Sequence, residues 1–212
     1  MFTHYIFDFD GTLFDSYPHT TRAFLNMLSE FGKSAPWEAV NRSLRISFGQ
    51  AYRDFQLSRE EIDRFLVLAH ELDTLPEVAP YPGAKEFISD LVAMGKKCHI
   101  YTHRENRTLY AYLDRYDMTN LFTLFVTEND GFPLKPAPDA LLSMMARGGF
   151  SADTACMIGD REIDVLAGKN AGMKGCLFDE DHINPPTTAD FTVHNFADLR
   201  KLFIVGDSLL DK

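Results

Sequence analysis

The chain has few cysteines and no long apolar run, and each shortage excludes a class of protein. Its 212 residues include only three cysteines, an odd number without the close spacing of a zinc site. We therefore expect free, buried thiols at Cys98, Cys156 and Cys176 in a reducing cytoplasm. No stretch approaches the roughly 18 apolar residues of a membrane-spanning helix, and no signal-peptide pattern is present, so we expect no membrane partner.

Cationic side chains are also scarce, because 21 lysines and arginines face 31 aspartates and glutamates, a formal net charge of −10. Nucleic acids are bound by surfaces rich in positive charge, so we expect no nucleic-acid partner. The same sign repels phosphate. Any phosphate site therefore needs local positive charge from a metal, a lysine or the amino end of a helix.

Two carboxylates follow the first apolar run of the chain. Tyr5–Phe7 predicts a short buried strand, Asp8 and Asp10 come directly after it, and Gly11 and Thr12 supply a turn. Side chains two residues apart on an extended chain can project to one side, where like charges disfavour each other unless a cation is near. Backbone N–H groups in such a turn can face an anion. The segment therefore predicts phosphoryl chemistry assisted by a cation.

Two patterns of hydrophobicity divide the chain. After residue 16, apolar side chains recur at helical spacing to about residue 75, and the proline-rich stretch Pro76–Gly83 follows. Beyond it, short apolar runs alternate with helices, as is typical of a parallel sheet. We predict an α/β fold with a Rossmann-like parallel sheet core, helices on both faces and an inserted α-helical cap. The core comprises residues 1–14 and 82–212, and the cap comprises residues 17–79.

Polar side chains follow the predicted core strands at their carboxyl ends, where ligands bind in sheets of this kind. Thr102 ends the second strand, Lys135 follows the third, and Asp160 and Asp164 follow the fourth. The predicted core helices cover residues 84–94, 106–115, 138–147 and 162–171, and the later strands cover residues 97–102, 122–127, 155–158 and 175–178.

These motifs, in this order, resemble the haloacid dehalogenase-like hydrolase superfamily. The match includes Asp-x-Asp-Gly-Thr at 8–12, the strand-end Thr102, Lys135, and Gly-Asp-x-x-x-Asp at 159–164. The insert places the chain in the branch with a helical cap, which includes phosphoglycolate phosphatases and beta-phosphoglucomutases. Four strings in register across nearly the whole chain make the resemblance specific.

The resemblance implies roles for the carboxylates. Asp8 would be the nucleophile that forms an aspartyl-phosphate, and Asp10 would be the general acid and then base. Mg²⁺ would be held by the carboxylates of Asp8 and Asp160 and by the backbone carbonyl of Asp10. Asp164 would stand behind these ligands and orient a metal-bound water or Lys135.

It also implies how the phosphoryl group is held. Thr102 and Lys135 would bind the transferring oxygens, because phosphoryl transfer depends chiefly on positioning and charge stabilisation. Backbone N–H groups around Gly11, Thr12 and His103 would contribute to binding the substrate. The expected partner is a small phosphorylated metabolite, and the expected assembly is a monomer or a homodimer.

Several functions are compatible with this core, and a Mg²⁺-dependent phosphatase of a small phosphomonoester is the leading hypothesis. A sugar phosphomutase is the alternative, but mutases carry a histidine where this chain has Thr20, with His19 beside it. Dehalogenases lack an acid at the position of Asp10. A phosphoaccepting receiver domain is disfavoured by the insert and by a nucleophile on the first strand.

Several residues outside the motifs are candidates for a structural or a binding role. We expect Asp15 to cap the first helix of the insert. Six cationic side chains could meet a distal anionic group of the substrate, although each is also typical of a structural or surface residue: His19, Arg22, Arg45, Arg53, His103 and Arg104.

Overall fold

The structure is a computed structural model that describes residues 2–72, 78–184 and 187–205. It divides into two compact units, Met1–Phe14 with Pro80–Lys212 and Asp15–Ala79. The sequence predicted that the cap begins at residue 17 and that the core resumes at residue 82. In the structure the smaller unit begins at Asp15 and the larger unit resumes at Pro80, so each of these boundaries differs by two residues. Within the described part of the chain, no helix is long and apolar enough to cross a membrane.

The strands and helices of both units are as follows. The strands are β1 (His4–Phe7), β2 (Phe14–Asp15), β3 (Ala79–Pro80), β4 (Lys97–Tyr101), β5 (Leu124–Val126), β6 (Ala155–Gly159), β7 (Lys174–Phe178) and β8 (Phe191–Val193). The α-helices are α1 (Tyr17–Glu30), α2 (Trp37–Ile46), α3 (Phe48–Asp54), α4 (Arg59–Leu72), α5 (Ala84–Ala93), α6 (Asn106–Arg115), α7 (Asp139–Gly148), α8 (Glu162–Asn170) and α9 (Phe196–Arg200).

The larger unit is built on a six-stranded sheet in the order β5-β4-β1-β6-β7-β8. Every adjacent pair is parallel, so each connection crosses over the sheet, mostly through a helix. β1 is central, and its last residue, Phe7, is in register with Ile100 and Ile158 of its two neighbours. The residues that follow β1, β4 and β6 therefore meet at one edge, as the predicted fold class requires.

The core elements match the predicted ones closely, and the predicted fold class is confirmed. Every predicted core helix and strand is present, with ends that differ by at most two residues. The edge strand β8 and helix α9 were not predicted, because three and five residues give too little periodicity. The proline-rich boundary predicted at 76–83 lies partly outside the described residues. The three cysteines are free and buried, as expected.

The smaller unit, Asp15–Ala79, is helical and has its own apolar core. Phe24 of α1 and Phe65 of α4 pack edge to face, with ring centroids 5.1 Å apart, and both side chains are fully buried. The expectation for Asp15 was wrong, because the N-cap of α1 is Ser16. Asp15 instead accepts a hydrogen bond from Arg45 Nη2 at 3.4 Å.

A buried histidine, His99 of β4, pairs with the half-buried His4 at the start of β1. His4 Nδ1 and His99 Nε2 are 3.0 Å apart, and the two rings and Phe150 lie nearly parallel. Burial, and then the charges of His4 and Lys97, lower the pKa of His99 from 6.5 to about 3. Burial also lowers the pKa of His4. The pair is therefore neutral at pH 7.

We predict that this pair weakens the fold in mild acid. The unfolded chain takes up protons below pH 6.5 while folded His99 does not until about pH 3, so stability falls as pH decreases through this window. At pH 5 the expected loss from His99 is about 2 kcal/mol. Thermal melts of wild type and His99→Phe at pH 7 and pH 5 measure it. His99→Phe should lose less stability on acidification, and the exposed control His182→Gln should behave as wild type. An equal decrease in all three proteins would contradict the assignment.

Candidate active site

The candidate active site centres on Lys135, which lies between two carboxylates. Lys135 Nζ is 2.7 Å from Asp8 Oδ1 and 2.8 Å from Asp164 Oδ1, and it donates a hydrogen bond to the backbone oxygen of Tyr101 at 2.9 Å. All three charged side chains are almost completely buried. Asp8 follows central strand β1, Lys135 precedes α7, and Asp164 lies in the first turn of α8.

Charge in this cluster is unbalanced. Oxygens of the Asp8, Asp160 and Asp164 carboxylates lie within 4.8 Å of one another. Burial raises the pKa of Asp8 to about 8, Lys135 opposes the rise, and the neighbouring carboxylates add to it. Burial by itself would lower the pKa of Lys135, but Asp164 and Asp8 raise it above its ordinary value. Lys135 is thus protonated, and further positive charge near Asp8 would favour the ionised form of that carboxylate.

A divalent cation fits this donor set. Mg²⁺ prefers oxygen ligands and is usually bound by one or two carboxylates with substrate phosphate. Asp8 and Asp160 offer such carboxylates, whereas both oxygens of Asp164 are engaged, Oδ1 by Lys135 and Oδ2 by the backbone N–H of Arg161 at 3.1 Å. Arg161 Nε lies 4.0 Å from Asp160 Oδ2, and a cation at Asp8 and Asp160 would add further positive charge beside the three carboxylates.

Thr12 and Asn184 both contact Asp160. Thr12 Oγ1 lies 3.5 Å from its Oδ1, and Asn184 Nδ2 donates to its backbone oxygen at 3.1 Å. The carboxylate of Asp179 holds Asn184 in turn, accepting from its Nδ2 at 2.9 Å. Asn184 was not predicted as a site residue, because no motif links it to a residue 24 positions earlier.

Gly159 ends β6 where no other residue fits. A Cβ at this position would lie 2.2 Å from the Asp164 Cβ and 2.5 Å from its Oδ2, closer than real Cβ contacts come. The glycine therefore lets Asp164 fold back beneath the strand end and reach Lys135. This close packing against Asp164 explains why the Gly-Asp-x-x-x-Asp motif has glycine at position 159.

Thr102 and His103 directly follow β4, and His103 contacts Lys135. Thr102 is buried, and its Oγ1 accepts a hydrogen bond from the backbone N–H of Arg104 at 3.1 Å. His103 Nε2 accepts from the backbone N–H of Lys135 at 3.1 Å, so its proton lies on Nδ1. Burial, with Lys135 next in effect, lowers the pKa of His103 to about 4. The neutral ring thus supports the Lys135 loop, a contact that sequence reasoning did not predict.

The predicted turn after β1 is present at Gly11. Gly11 has φ +76°, and its N–H donates to the backbone oxygen of Phe14 at 2.8 Å. The turn itself therefore uses this donor, and the role of the backbone N–H groups around Gly11 in binding substrate stays a prediction. Gly11 itself contributes the left-handed conformation of the turn.

Asp10 lies beside Arg104 rather than beside Lys135. Arg104 Nη2 donates to Asp10 Oδ1 at 2.6 Å and Nε donates to Oδ2 at 3.2 Å. In the structure the nearest cationic side chains differ, Lys135 at Asp8 and Arg104 at Asp10, and a bound cation between the two carboxylates stays a prediction. Arg104 was a candidate only for a distal substrate group, and the sequence held no signal for its contact with Asp10.

The chain is similar to known hydrolases in both sequence and structure. The family model described as haloacid dehalogenase-like hydrolase matches residues 5–178. A phosphoglycolate phosphatase of Caulobacter vibrioides is 29% identical over 214 residues, covering 93% of this chain and 89% of that protein. Pyrophosphatase PpaX of Halalkalibacterium halodurans is 28% identical, with 95% of each chain covered. A hydrolase of the same family from Deinococcus radiodurans, solved with phosphate and sodium bound, superposes with a TM-score of 0.77 at 22% identity, covering 97% of this chain and 96% of that one.

Proposed function

Because the chain belongs to the haloacid dehalogenase-like hydrolase family, we propose that it is a Mg²⁺-dependent phosphatase that hydrolyses a small organic phosphomonoester through an aspartyl-phosphate. The observation that carries this proposal is the buried group of Asp8, Lys135 and Asp164 at the carboxyl ends of the parallel strands. A buried carboxylate that shares the Lys135 ammonium with a second carboxylate suits a nucleophile that works beside a cation.

In the first step Asp8 attacks phosphorus. One carboxylate oxygen forms a bond to phosphorus while the bond from phosphorus to the ester oxygen breaks. The leaving oxygen takes a proton from the Asp10 carboxyl group and departs as an alcohol. Lys135 and Thr102 hold the equatorial oxygens of the transferring group, whose charge is spread in the transition state.

In the second step water releases the phosphate. Asp10, now a carboxylate, accepts a proton from a water molecule as that water attacks phosphorus. The bond between phosphorus and Asp8 breaks, which regenerates the Asp8 carboxylate and frees inorganic phosphate. Asp10 ends the cycle protonated, so protons and charge balance over the two steps.

Asp8, Asp160 and the backbone oxygen of Asp10 would hold Mg²⁺, which supplies positive charge to the phosphoryl oxygens and keeps Asp8 ionised. Two further residues position the residues that would act in the reaction. Asp164 holds Lys135 in place, and Asn184 holds the backbone of Asp160.

The relatives' names support a phosphatase, since phosphoglycolate and pyrophosphate are both small phosphorylated compounds. A phosphomutase is less well supported. His19, the nearest candidate for the additional mutase histidine, is 4% exposed within the helical unit, and its Nε2 is 3.3 Å from the backbone oxygen of Ala69.

We expect the activity to require a divalent cation. EDTA should abolish the release of phosphate from p-nitrophenyl phosphate, and excess Mg²⁺ should restore many turnovers per chain. Mg²⁺ should also raise the melting temperature, because it relieves the repulsion around Asp8, and Asp160→Asn should lose this shift. The exposed control Asp63→Asn should keep it. Turnover indifferent to EDTA would contradict the proposed cation, and one phosphoryl group retained per chain would instead indicate a receiver.

A further inference from the structure

Lys135 is attached to the end of β4 through both its side chain and its backbone. Its ammonium donates a hydrogen bond to the backbone oxygen of Tyr101 at 2.9 Å and lies 4.5 Å from the centroid of the Tyr101 ring. Its backbone N–H donates to His103 Nε2 at 3.1 Å. The rings of Tyr101 and His103 pack edge to face, with centroids 5.9 Å apart. Two neighbouring residues of one chain segment therefore hold both ends of this lysine.

The loop that carries Lys135 is poor in backbone donors. Residues 133–138 include three prolines, which have no N–H. The N–H of Ala137 bonds to the backbone oxygen of Leu134, within the loop itself. The Lys135 N–H, in contrast, reaches out of the loop to His103. This bond therefore ties the backbone of the loop to the end of β4.

The His103 ring is suited to this bond because it accepts without carrying charge. Burial, and then the charge of Lys135, lower its pKa to about 4, so Nε2 keeps its lone pair at neutral pH. A protonated imidazole has no acceptor, and the bond would be lost. A carboxylate in its place would add negative charge beside the three carboxylates of Asp8, Asp160 and Asp164.

The ammonium of Lys135 needs a fixed backbone because of the length of its side chain. A lysine carries its charge on a flexible stem of four carbons, and misplacing a group by ~1 Å can lower a rate by about 10²-fold. Asp8 and Asp164 attract the ammonium at 2.7 and 2.8 Å, but neither contact fixes the backbone from which the stem starts. The bond to His103 does so.

We propose that His103 is a positioning residue, whose Nε2 lone pair holds the backbone of Lys135 so that the ammonium lies where it binds the transferring phosphoryl oxygens. The role of His103 rests on the proposed phosphatase function and deepens it, because His103 acts on the reaction through Lys135. It requires neither a charge on the imidazole ring nor contact between that ring and the substrate.

A matched pair of variants separates the acceptor from the volume of the ring. His103→Gln supplies a neutral oxygen acceptor near the position of Nε2, whereas His103→Leu fills similar space without one. With p-nitrophenyl phosphate and Mg²⁺, kcat should fall about 10- to 100-fold in His103→Leu, with KM within about threefold of wild type. His103→Gln should keep kcat within about threefold of wild type. Equal losses of kcat in both variants, or no loss in His103→Leu, would overturn the proposal.

A double-mutant cycle shows whether His103 acts through Lys135. The background is Lys135→Met with Asp164→Asn, in which no ammonium remains to be placed. Adding His103→Leu to it should lower kcat by less than about threefold. A further loss as large as in the wild-type background would overturn the proposal, since His103 would then act independently of Lys135. The control is Arg107→Leu, at an exposed position on α6, which should keep wild-type kinetics.

Hydrogen exchange and phosphate binding test the role of His103 without turnover. The Lys135 amide should exchange about 10-fold faster or more in His103→Leu than in wild type and His103→Gln. Calorimetry with inorganic phosphate and Mg²⁺ should show about 10-fold weaker binding in His103→Leu alone. Unchanged exchange or unchanged affinity in His103→Leu would overturn the proposal. If wild type hydrolyses no phosphomonoester, including p-nitrophenyl phosphate, the proposed function is wrong, while exchange and binding still decide whether His103 positions Lys135.

Discussion

Replacing Asp8 by asparagine should lower kcat for p-nitrophenyl phosphate by about 10⁴-fold or more, as expected when a covalent nucleophile is lost. The amide cannot attack phosphorus, yet it occupies nearly the same volume. We also expect the variant to melt no lower than wild type without metal, because burial and neighbouring carboxylates already disfavour the charge of Asp8. Steady-state kinetics and thermal melts measure both effects.

The matched control for Asp8→Asn is Asp63→Asn. Asp63 is an exposed carboxylate on α4, paired with Arg59, so its loss should leave kcat unchanged. Residual turnover of Asp8→Asn within about 100-fold of wild type would contradict the nucleophile assignment. A large decrease in its melting temperature would contradict the proposed imbalance of charge.

Replacing Lys135 by methionine should damage both activity and stability. The Lys135 side chain is 2% exposed, and its ammonium group contacts Asp8, Asp164 and the backbone oxygen of Tyr101. Removing it leaves buried carboxylates without their cation, which costs about 3–5 kcal/mol of unfolding free energy. Losing a positive group that contacts the phosphoryl oxygens should lower kcat/KM by about 10²- to 10³-fold. Urea unfolding and kinetics measure the two losses.

A second substitution separates these two roles of Lys135. Adding Asp164→Asn to Lys135→Met removes one uncompensated carboxylate, so most of the stability should return while activity stays low. The exposed control Lys201→Met should behave as wild type in both assays. Equal activity in Lys135→Met and wild type would contradict phosphoryl binding by this residue, whatever its effect on stability.

The positions of the site residues follow largely from sequence patterning. Asp8, Thr102 and Asp160 each come directly after or at the end of an apolar strand, and a parallel sheet brings the ends of β1, β4 and β6 to one edge. Lys135 was predictable as a candidate from its motif and its place before α7. Their catalytic roles stay predictions.

Contacts that depend on long side chains or distant loops were not predictable. Arg104 has many accessible rotamers, and only the folded chain shows its guanidinium over Phe9 and Tyr112 with Asp10 in its fork. Asn184 reaches the backbone of Asp160 through a loop with no periodic pattern. Hydrophobic periodicity indicates which face of a helix or strand is buried. It does not predict a hydrogen bond between segments that are far apart in sequence.

A covalent phosphoryl group at Asp8 is the central intermediate of the proposed mechanism, and it can be trapped directly. Asp10→Asn should slow the water attack more than the first step when the leaving group is p-nitrophenolate, which needs no proton. Acid-quenched Asp10→Asn incubated with Mg²⁺ and p-nitrophenyl phosphate should therefore gain the mass of one phosphoryl group, and borohydride should convert Asp8 alone to homoserine. Phosphate release with no modified Asp8, or modification of another carboxylate, would contradict the mechanism.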